Sequence, residues 1–468
     1  MWRAFYGSSM ACTAAKSSYC RRLAQGCRNM RRNTAFMVFT CLLVLVWCMC
    51  KWMFANEYLE WTHKRLPQRE LHSEHFVFGR DDDVYMYSAF LNLPDKNRHG
   101  SLFFQPSSEV DIVVTTLDKT RGNFYCCVLF SDKQNLLRTR AQIYFENNVK
   151  KASFIGGVVE YFFPRYYIAR QFICRLPAPS PHQHYSYISL TSSSCPSDLS
   201  DFLPIRQPSR VPGGLALCGK IAHSGGLDPE NVIEWFEVQR LLGVDKVLIY
   251  DLGNPENLNR VFKYYQSLGI LDLQPYELPG LPRNRSLAEK WKRTAQFNHD
   301  ETMAVLECRQ RMAGYDYIIS HDVDEFIIPR RDVTLKEFLK EQLGKEPNAA
   351  GFYFYTEFFI TTWDPTNPEE DLMVKRYRKS TVPRWECYKY VYLPSRVTTS
   401  VTHQFFPKDS KFIECKVSPD EAILHHYRQC PKDTWGTCSV TTNIDDTMIR
   451  YRDLDERVRQ VRNATQTT

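Results

Sequence analysis

The sequence predicts a mixed α/β protein: a mostly parallel sheet covered by helices over residues 213–438, preceded by a small β-sandwich and a single N-terminal membrane helix. Three observations predict it. An apolar run from Ala35 to Ala55 follows a purely basic tail. From His75 to about Leu176, short β-type runs alternate with polar turns. Beyond Pro212 helical patterns alternate with apolar strands.

The tail, residues 1–35, holds Arg3, Lys16, Arg21, Arg22, Arg28, Arg31 and Arg32 and no acidic residue, so the formal charge of +7 is a tail and the rest of the chain is balanced. That distribution speaks against a nucleic-acid-binding body. A hydrophobic content of 43% excludes a low-complexity or wholly disordered chain. Residues 36–55 are long enough to cross a bilayer, with Lys51 near the far end, where it can snorkel. Arg31 and Arg32 put the N-terminus in the cytosol. A cleaved signal peptide fits less well, because Trp47, Trp52 and Phe54 fill the run and no small-residue exit follows. The expected topology is single-pass type II, with the remainder in an oxidising lumen. Ten cysteines fall there, an even number that permits disulfides. Asn284 and Asn463 begin glycosylation sequons.

Residues 56–74 are charged and suit a stem. Within 75–176 the β-type runs are Val84–Phe90, Glu109–Thr115, Asn123–Phe130, Ala141–Phe145 and Ala152–Phe163, with Cys127 and Cys174 placed to staple them. Seven prolines from Pro177 to Pro212 and a Thr-Ser-Ser-Ser cluster predict a linker over 177–212.

Next, Asp228-Pro229-Glu230 starts a helix with an N-cap carboxylate and proline at the first position, and Gly243 ends it. Lys246–Tyr250 is a buried strand. Pro255 opens a second helix closed by Gly269, and Ile270–Leu273 is the next strand. A third helix runs from about Leu287 to Met312, and the strand Tyr317–Ser320 follows. Ligands of such sheets sit outside the carboxyl ends of the strands. Residues 439–468 form a C-terminal helical tail.

At the end of that last strand stands His321-Asp322-Val323-Asp324-Glu325-Phe326. In extended chain Asp322 and Asp324 point to one side, a pair of hard oxygen ligands suited to Mg²⁺ or Mn²⁺ holding a diphosphate. The same spacing at Asp81/Asp83 and Asp453/Asp455 lies in polar surroundings and reads as solvated surface. Only 322/324 follows an apolar strand.

Val232–Val244, Val247–Asp251, Asp322–Pro329 and Ala422–Arg428, in that order between Cys218 and Arg428, resemble glycosyltransferase family 92. One departure is visible: Leu306-Glu-Cys-Arg-Gln-Arg311 stands where the family usually shows Asn-Asp-Cys-x-x-Arg. The resemblance implies a GT-A fold, a UDP-sugar donor, Mn²⁺ or another divalent cation, and inversion. It also implies transfer of a hexose, galactose from UDP-galactose in β-linkage, to fucose or galactose of a glycan on a glycoprotein or polysaccharide, and a Golgi membrane location. Asp322 and Asp324 are then the metal and donor pair, with Asp324 coordinating directly and Asp322 directed to the ribose or a metal-bound water. His426 is the expected histidine ligand, since only one of His425 and His426 can face the site, and His403 is second. Lys389 and Arg428 are expected at the donor phosphates. The base that takes the acceptor proton is sought among Glu357, Asp364 and Glu325. Glu357, beside Tyr355 and Phe358, which could stack on a sugar, is the pick among the three, and a solvent-facing strand residue is the stronger competing reading of it. Two other classes remain: a metal-dependent phosphohydrolase with Asp322 as nucleophile, and an inactive membrane-tethered glycan-binding protein.

Overall fold

The computed structural model describes residues 76–79, 84–92, 109–119, 123–146, 167–180, 182–222, 227–277, 295–430 and 442–466. The expected tail, membrane helix and stem lie outside these. Among the described residues no helix is long and apolar enough to cross a membrane.

Among the described residues the N-terminal half forms nine strands: β1 (Val77–Gly79), β2 (Val84–Leu91), β3 (Glu109–Asp118), β4 (Tyr125–Phe130), β5 (Leu136–Arg140), β6 (Gln142–Glu146), β7 (Ile168–Pro177), β8 (Tyr185–Thr191) and β9 (Leu203–Arg206). They pair in the order β5-β4-β8-β9-β2-β3-β7-β6, with β1 on β2. Strands β4 and β7 are far apart along that path, yet a disulfide joins Cys126 to Cys174. The sheet therefore folds over itself, and Met86, Val114, Phe124 and Phe172 fill the space between its layers. A second disulfide joins Cys127 to Cys195. The expected Cys127–Cys174 staple is thus corrected by one position. Neighbouring strand residues face opposite sides, so only Cys126 points inward at Cys174.

The expected linker, 177–212, is also corrected: β8 and β9 are integral strands of this sheet. Three of its prolines lie in strands: Pro177 ends β7 opposite Glu109, Pro204 lies in the short β9 opposite Tyr187, and Pro212 lies near the start of the strand Arg210–Ala222.

The second sheet begins with β10 (Arg210–Ala222), followed by helix α1 (Pro229–Leu241), β11 (Lys246–Asp251), α2 (Glu256–Ser267), β12 (Leu271–Pro275), α3 (Ala295–Arg311) and β13 (Gly314–Ser320). The α1 start is as expected: Asp228 accepts a hydrogen bond from the Glu230 amide at 3.0 Å, and Pro229 opens the helix. Gly243 and Gly269 adopt φ of +86° and +71° past the ends of α1 and α2, a left-handed conformation that glycine reaches without a Cβ penalty. Strands β12, β11, β10 and β13 lie side by side and parallel. The chain works outward from β10 to β12, then crosses back to place β13 on the other side of β10, so the strand order reverses between β10 and β13. A disulfide, Cys218–Cys308, ties β10 to α3. Glu307, the acid of the departing motif, is fully buried and accepts hydrogen bonds from Arg311 and Tyr250, so it serves the interior.

Then come β14 (Glu325–Pro329), α4 (Leu335–Lys345), β15 (Ala349–Ile360), α5 (Met373–Arg376), β16 (Lys379–Thr381), β17 (Arg384–Tyr392), β18 (Val397–Val401), β19 (Gln404–Pro407), β20 (Ile413–Lys416), β21 (Ala422–Arg428), β22 (Thr442–Ile444) and α6 (Leu454–Gln466). Strand β17 joins β13 antiparallel and leads to β15, which carries β21 and through it β14. The expected C-terminal tail is part of this core: Leu454, Val458 and Val461 of α6 are buried in the same cluster as Val232 and Phe236 of α1.

One buried acid gives a testable pH signature. Glu234 of α1, 3% exposed, accepts the amides of Met373 and Val374 at 2.8 and 2.7 Å, capping α5. Burial pushes its carboxyl up to about 7 against the opposing pull of those amides. Its folded pKa exceeds its unfolded one, so the folded protein binds the extra proton between about pH 4.5 and 7. Its contribution to stability is greatest at the acid end and falls as pH rises, by up to roughly 3 kcal/mol. In urea unfolding, Glu234→Gln is expected to gain stability relative to wild type between pH 5 and pH 7.5. A constant difference between the two proteins would refute this reading.

Candidate active site

The site lies where the strand order reverses, at the carboxyl ends of β10 and β13. Against β11, strand β10 is in register from Ala216 to Cys218, then slips before Ile221. Within that bulge Lys220 takes a φ of +55°, and such a bulge re-aims a side chain. Its ammonium, 4% exposed, reaches Asp322 Oδ1 at 2.6 Å. From β17, Lys389 (2% exposed) donates to Asp322 Oδ2 at 2.7 Å and lies 3.1 Å from Glu325 Oε2. Two ammoniums thus converge on one carboxylate. Burial raises the Asp322 pKa, but the Lys220 and Lys389 charges outweigh it and hold the carboxyl well below the usual range. Burial opposes the Lys389 ammonium, and the Asp322 and Glu325 carboxylates hold its pKa above the ordinary value.

The chain from His321 to Glu325 is a turn. Glu325 N–H donates to the Asp322 carbonyl at 3.2 Å, and Asp322 N–H donates to Glu325 Oε2 at 2.7 Å. The expectation that Asp322 and Asp324 point together is therefore corrected, because the turn abolishes the two-residue alternation of a strand. Asp322 faces the lysines. Asp324, 49% exposed, faces His426, with Oδ2 and Nε2 3.4 Å apart. Antiparallel pairing of β14 with β21 sets Glu325 opposite His426, and Tyr427 N–H donates to the Asp324 carbonyl at 3.0 Å. On its other edge His426 Nδ1 lies 3.3 Å from Glu325 Oε1. Burial lowers the imidazole pKa, but Glu325 and Asp324 overcome this and raise it. Burial raises the Glu325 carboxyl and Lys389 only partly offsets that.

The turn is braced from behind. Trp235 Nε1 of α1 donates to the Glu325 carbonyl at 3.1 Å, and His321, wholly buried, has Nδ1 2.9 Å from the Asp322 carbonyl oxygen. Burial brings the His321 imidazole down to about 4, so it is neutral at physiological pH.

Asp324, Glu325 and His426 form a candidate donor set for a divalent cation. One carboxylate oxygen of Asp324, one of Glu325 and one ring nitrogen of His426 all lie within 4.8 Å of one another. Hard oxygens with an imidazole suit Mn²⁺ or Mg²⁺, so the residues fit. Glu325 also receives Lys389, which leaves Asp324 and His426 as the outward pair.

Of the expected residues, the structure brings together Asp322, Asp324, Lys389 and His426. Arg428 shares the His426 face of β21, two residues on, with its side chain half-buried. His403 sits in the turn between β18 and β19 with Nδ1 3.2 Å from the Tyr388 carbonyl oxygen. Asp364 is an exposed residue after β15. Glu357 is not brought to the site. Parallel pairing of β15 with β21 sets Glu357 beside His425 and Phe358 beside His426, so Glu357 faces the opposite side of the sheet. There it is 3% exposed, accepting Arg330 Nη2 at 2.7 Å and Ser380 Oγ at 3.1 Å. Its expected role as base is corrected to a buried ion-pair partner.

Lys220 is the residue the sequence reading misses. Its signal was a single cation after Gly219 in the apolar run Leu215–Ala222.

The family model for glycosyltransferase family 92 matches residues 215–463, slightly over half of the chain. The β-1,4-galactosyltransferase galt-1 of Caenorhabditis elegans is 23% identical over 170 residues, 33% of this chain and 36% of that protein. The chain thus spans about a third of the length of this curated relative. Among solved structures, one titled "Crystal Structure of a Mycobacterial Protein" is 12% identical, covering 55% of this chain and 74% of its own, with a TM-score of 0.24. That score is too low to bear on fold or function.

Proposed function

The chain belongs to glycosyltransferase family 92, and from that premise we propose that it transfers a hexose from a UDP-sugar to a glycan in a divalent-metal-dependent, inverting reaction on a GT-A fold. Galactose in β-linkage is the proposed transfer, onto fucose or galactose of a glycoprotein or polysaccharide. The name of the nematode relative supports the sugar. The proposed setting is the Golgi lumen, with residues 36–55 as anchor.

The observation that carries the proposal is the meeting of two buried ammoniums, Lys220 and Lys389, with the Asp324–His426 pair at the carboxyl ends of β10 and β13. Asp324 and His426 would hold the ion, with Glu325 behind them. When bound, a divalent cation neutralises charge that builds on the departing diphosphate. Lys220 and Lys389 are the chain's own donors for that charge, and in the free protein Asp322 occupies them. Both ammoniums are fixed before the reaction, so no solvent reorganisation is needed to aim them. The Glu325 carboxylate and the Trp235 and His321 rings keep the turn in place.

The reading is tested with the full chain, Mn²⁺, a panel of UDP-sugars, and fucosylated or galactosylated glycans as acceptors. Transfer of galactose with release of UDP is the expected result. No turnover with any donor would remove the enzymatic reading. Phosphate release through a phosphoenzyme would favour the phosphohydrolase instead.

A further inference from the structure

Strand β17 leaves its ladder immediately beside the site. It pairs with β15 at Phe354↔Lys389 and again at Thr356↔Arg384, so four residues, 385–388, stand opposite the single Tyr355. Within this bulge Cys387 has a φ of +50°, a strained value for a residue with a Cβ. The bulge carries Trp385 and Tyr388, whose rings stack with centroids 4.4 Å apart and 15° between planes. Tyr355 meets Trp385 edge-on at 4.8 Å. All three keep part of their surface in solvent. Tyr353 and Phe405, stacked beneath at 4.7 Å, are buried and form the floor.

Trp385 and Tyr388 rest on the core through Tyr353, and the part of each ring left in solvent is not used by that packing. A half-exposed indole and phenol on a strained bulge cost stability, and such strain gathers at functional sites. The bulge ends at Lys389, which donates to Asp322. The antiparallel register of β13 and β17 ends at Ser320↔Tyr390, so the ladder stops two residues before Asp322 on one strand and two residues from Tyr388 on the other. His403 closes the gap: its ring is 6.2 Å from that of Tyr388. The aromatic group and the charged group are therefore neighbours at one mouth. The exposed Glu386 and His403 at its rim supply hydrogen-bond partners for hydroxyl groups. The exposed Lys416 ammonium rests 4.2 Å over Trp385, where a bound ring can displace it.

We infer that Trp385, Tyr388 and Tyr355 form the acceptor subsite, a platform for the apolar C–H face of a neutral pyranose whose hydroxyls meet Glu386 and His403. Sugars combine an apolar face with a polar rim, and this surface presents the complement. The inference rests on the proposed sugar transfer for its meaning, but binding of the glycan can be measured without transfer.

The test uses the detergent-solubilised full chain, with Trp385→Ala, Tyr388→Ala and the ring-retaining Trp385→Phe. The probe is a core-fucosylated, galactose-terminated N-glycan, observed by saturation-transfer NMR and as acceptor in the UDP-galactose assay. In wild type, sugar-ring protons are expected to receive saturation. In the alanine variants that signal is lost and acceptor KM rises about tenfold or more, with the donor KM changed much less. Trp385→Phe is expected to recover most of the binding. Unchanged glycan binding in both alanine variants overturns the subsite, whatever the transfer assay shows. Equal rises in donor and acceptor KM also overturn it, since they mark a merely structural role. Ring-dependent glycan binding with no UDP release upholds the platform and instead removes the transferase reading.

Discussion

Asp324→Asn is expected to lower Mn²⁺-dependent sugar transfer by about a thousandfold in kcat/KM, the several kcal/mol that a bound cation contributes to charge stabilisation. The carboxamide keeps the size of the side chain and one oxygen, but loses the charge that makes it a hard ligand. Mn²⁺ affinity, read by electron paramagnetic resonance titration, is expected to fall with activity. His426→Ala should fall in the same direction, because Nε2 lies 3.4 Å from Asp324 Oδ2 and is the other outward donor. Asp322→Asn is the informative contrast. Both Asp322 oxygens face ammoniums, so its loss should spare Mn²⁺ affinity and change donor KM instead. If Asp322→Asn abolished Mn²⁺ binding and Asp324→Asn preserved it, the division of labour in this turn would be reversed.

That division shows what a linear sequence conveys and what it hides. Asp322, Asp324 and His426 were legible because an acidic triplet after an apolar strand is unusual, and because only one of two adjacent strand residues can face a site. The α1 cap at Asp228 and the glycines closing α1 and α2 were legible for local reasons: each is decided by a few neighbouring atoms. Lys220 was hidden because its role depends on a bulge that Gly219 alone only hints at and on a strand, β13, about a hundred residues away. Glu357 was misplaced for a related reason. Its distance along the chain from the acidic turn is short, but the parallel register with β21 decides its face, and that register pairs it with His425. The prolines of 177–212 misled because proline marks strand ends and edges as readily as linkers. Turn geometry and register are tertiary facts, and the errors fall where those facts decide.

The same geometry makes Lys389 the residue on which site and stability depend together. Its ammonium is nearly inaccessible, and it faces Asp322 and Glu325 at 2.7 and 3.1 Å. Lys389→Met keeps the length of the stem and removes the charge. Asp322 retains Lys220, but Glu325 is left fully buried with the His426 ring, Nδ1 3.3 Å from Oε1, beside it. Breaking a buried pair by deleting one member typically costs about 3–5 kcal/mol, since the other charge stays desolvated. Loss of that size is expected in urea unfolding, together with a loss of donor binding. The cause is separable from lost packing by a second change. Glu325→Gln removes the stranded charge yet keeps an oxygen to accept the Asp322 amide, which Glu325 Oε2 now binds at 2.7 Å. Added to Lys389→Met, it should restore part of the lost stability, giving a coupling of about 1–3 kcal/mol in a double-mutant cycle. Donor binding should not return with it, because the ammonium proposed to meet the diphosphate is still absent. A double variant no more stable than Lys389→Met alone would show that the stem of Lys389, not its charge, holds this part of the sheet together.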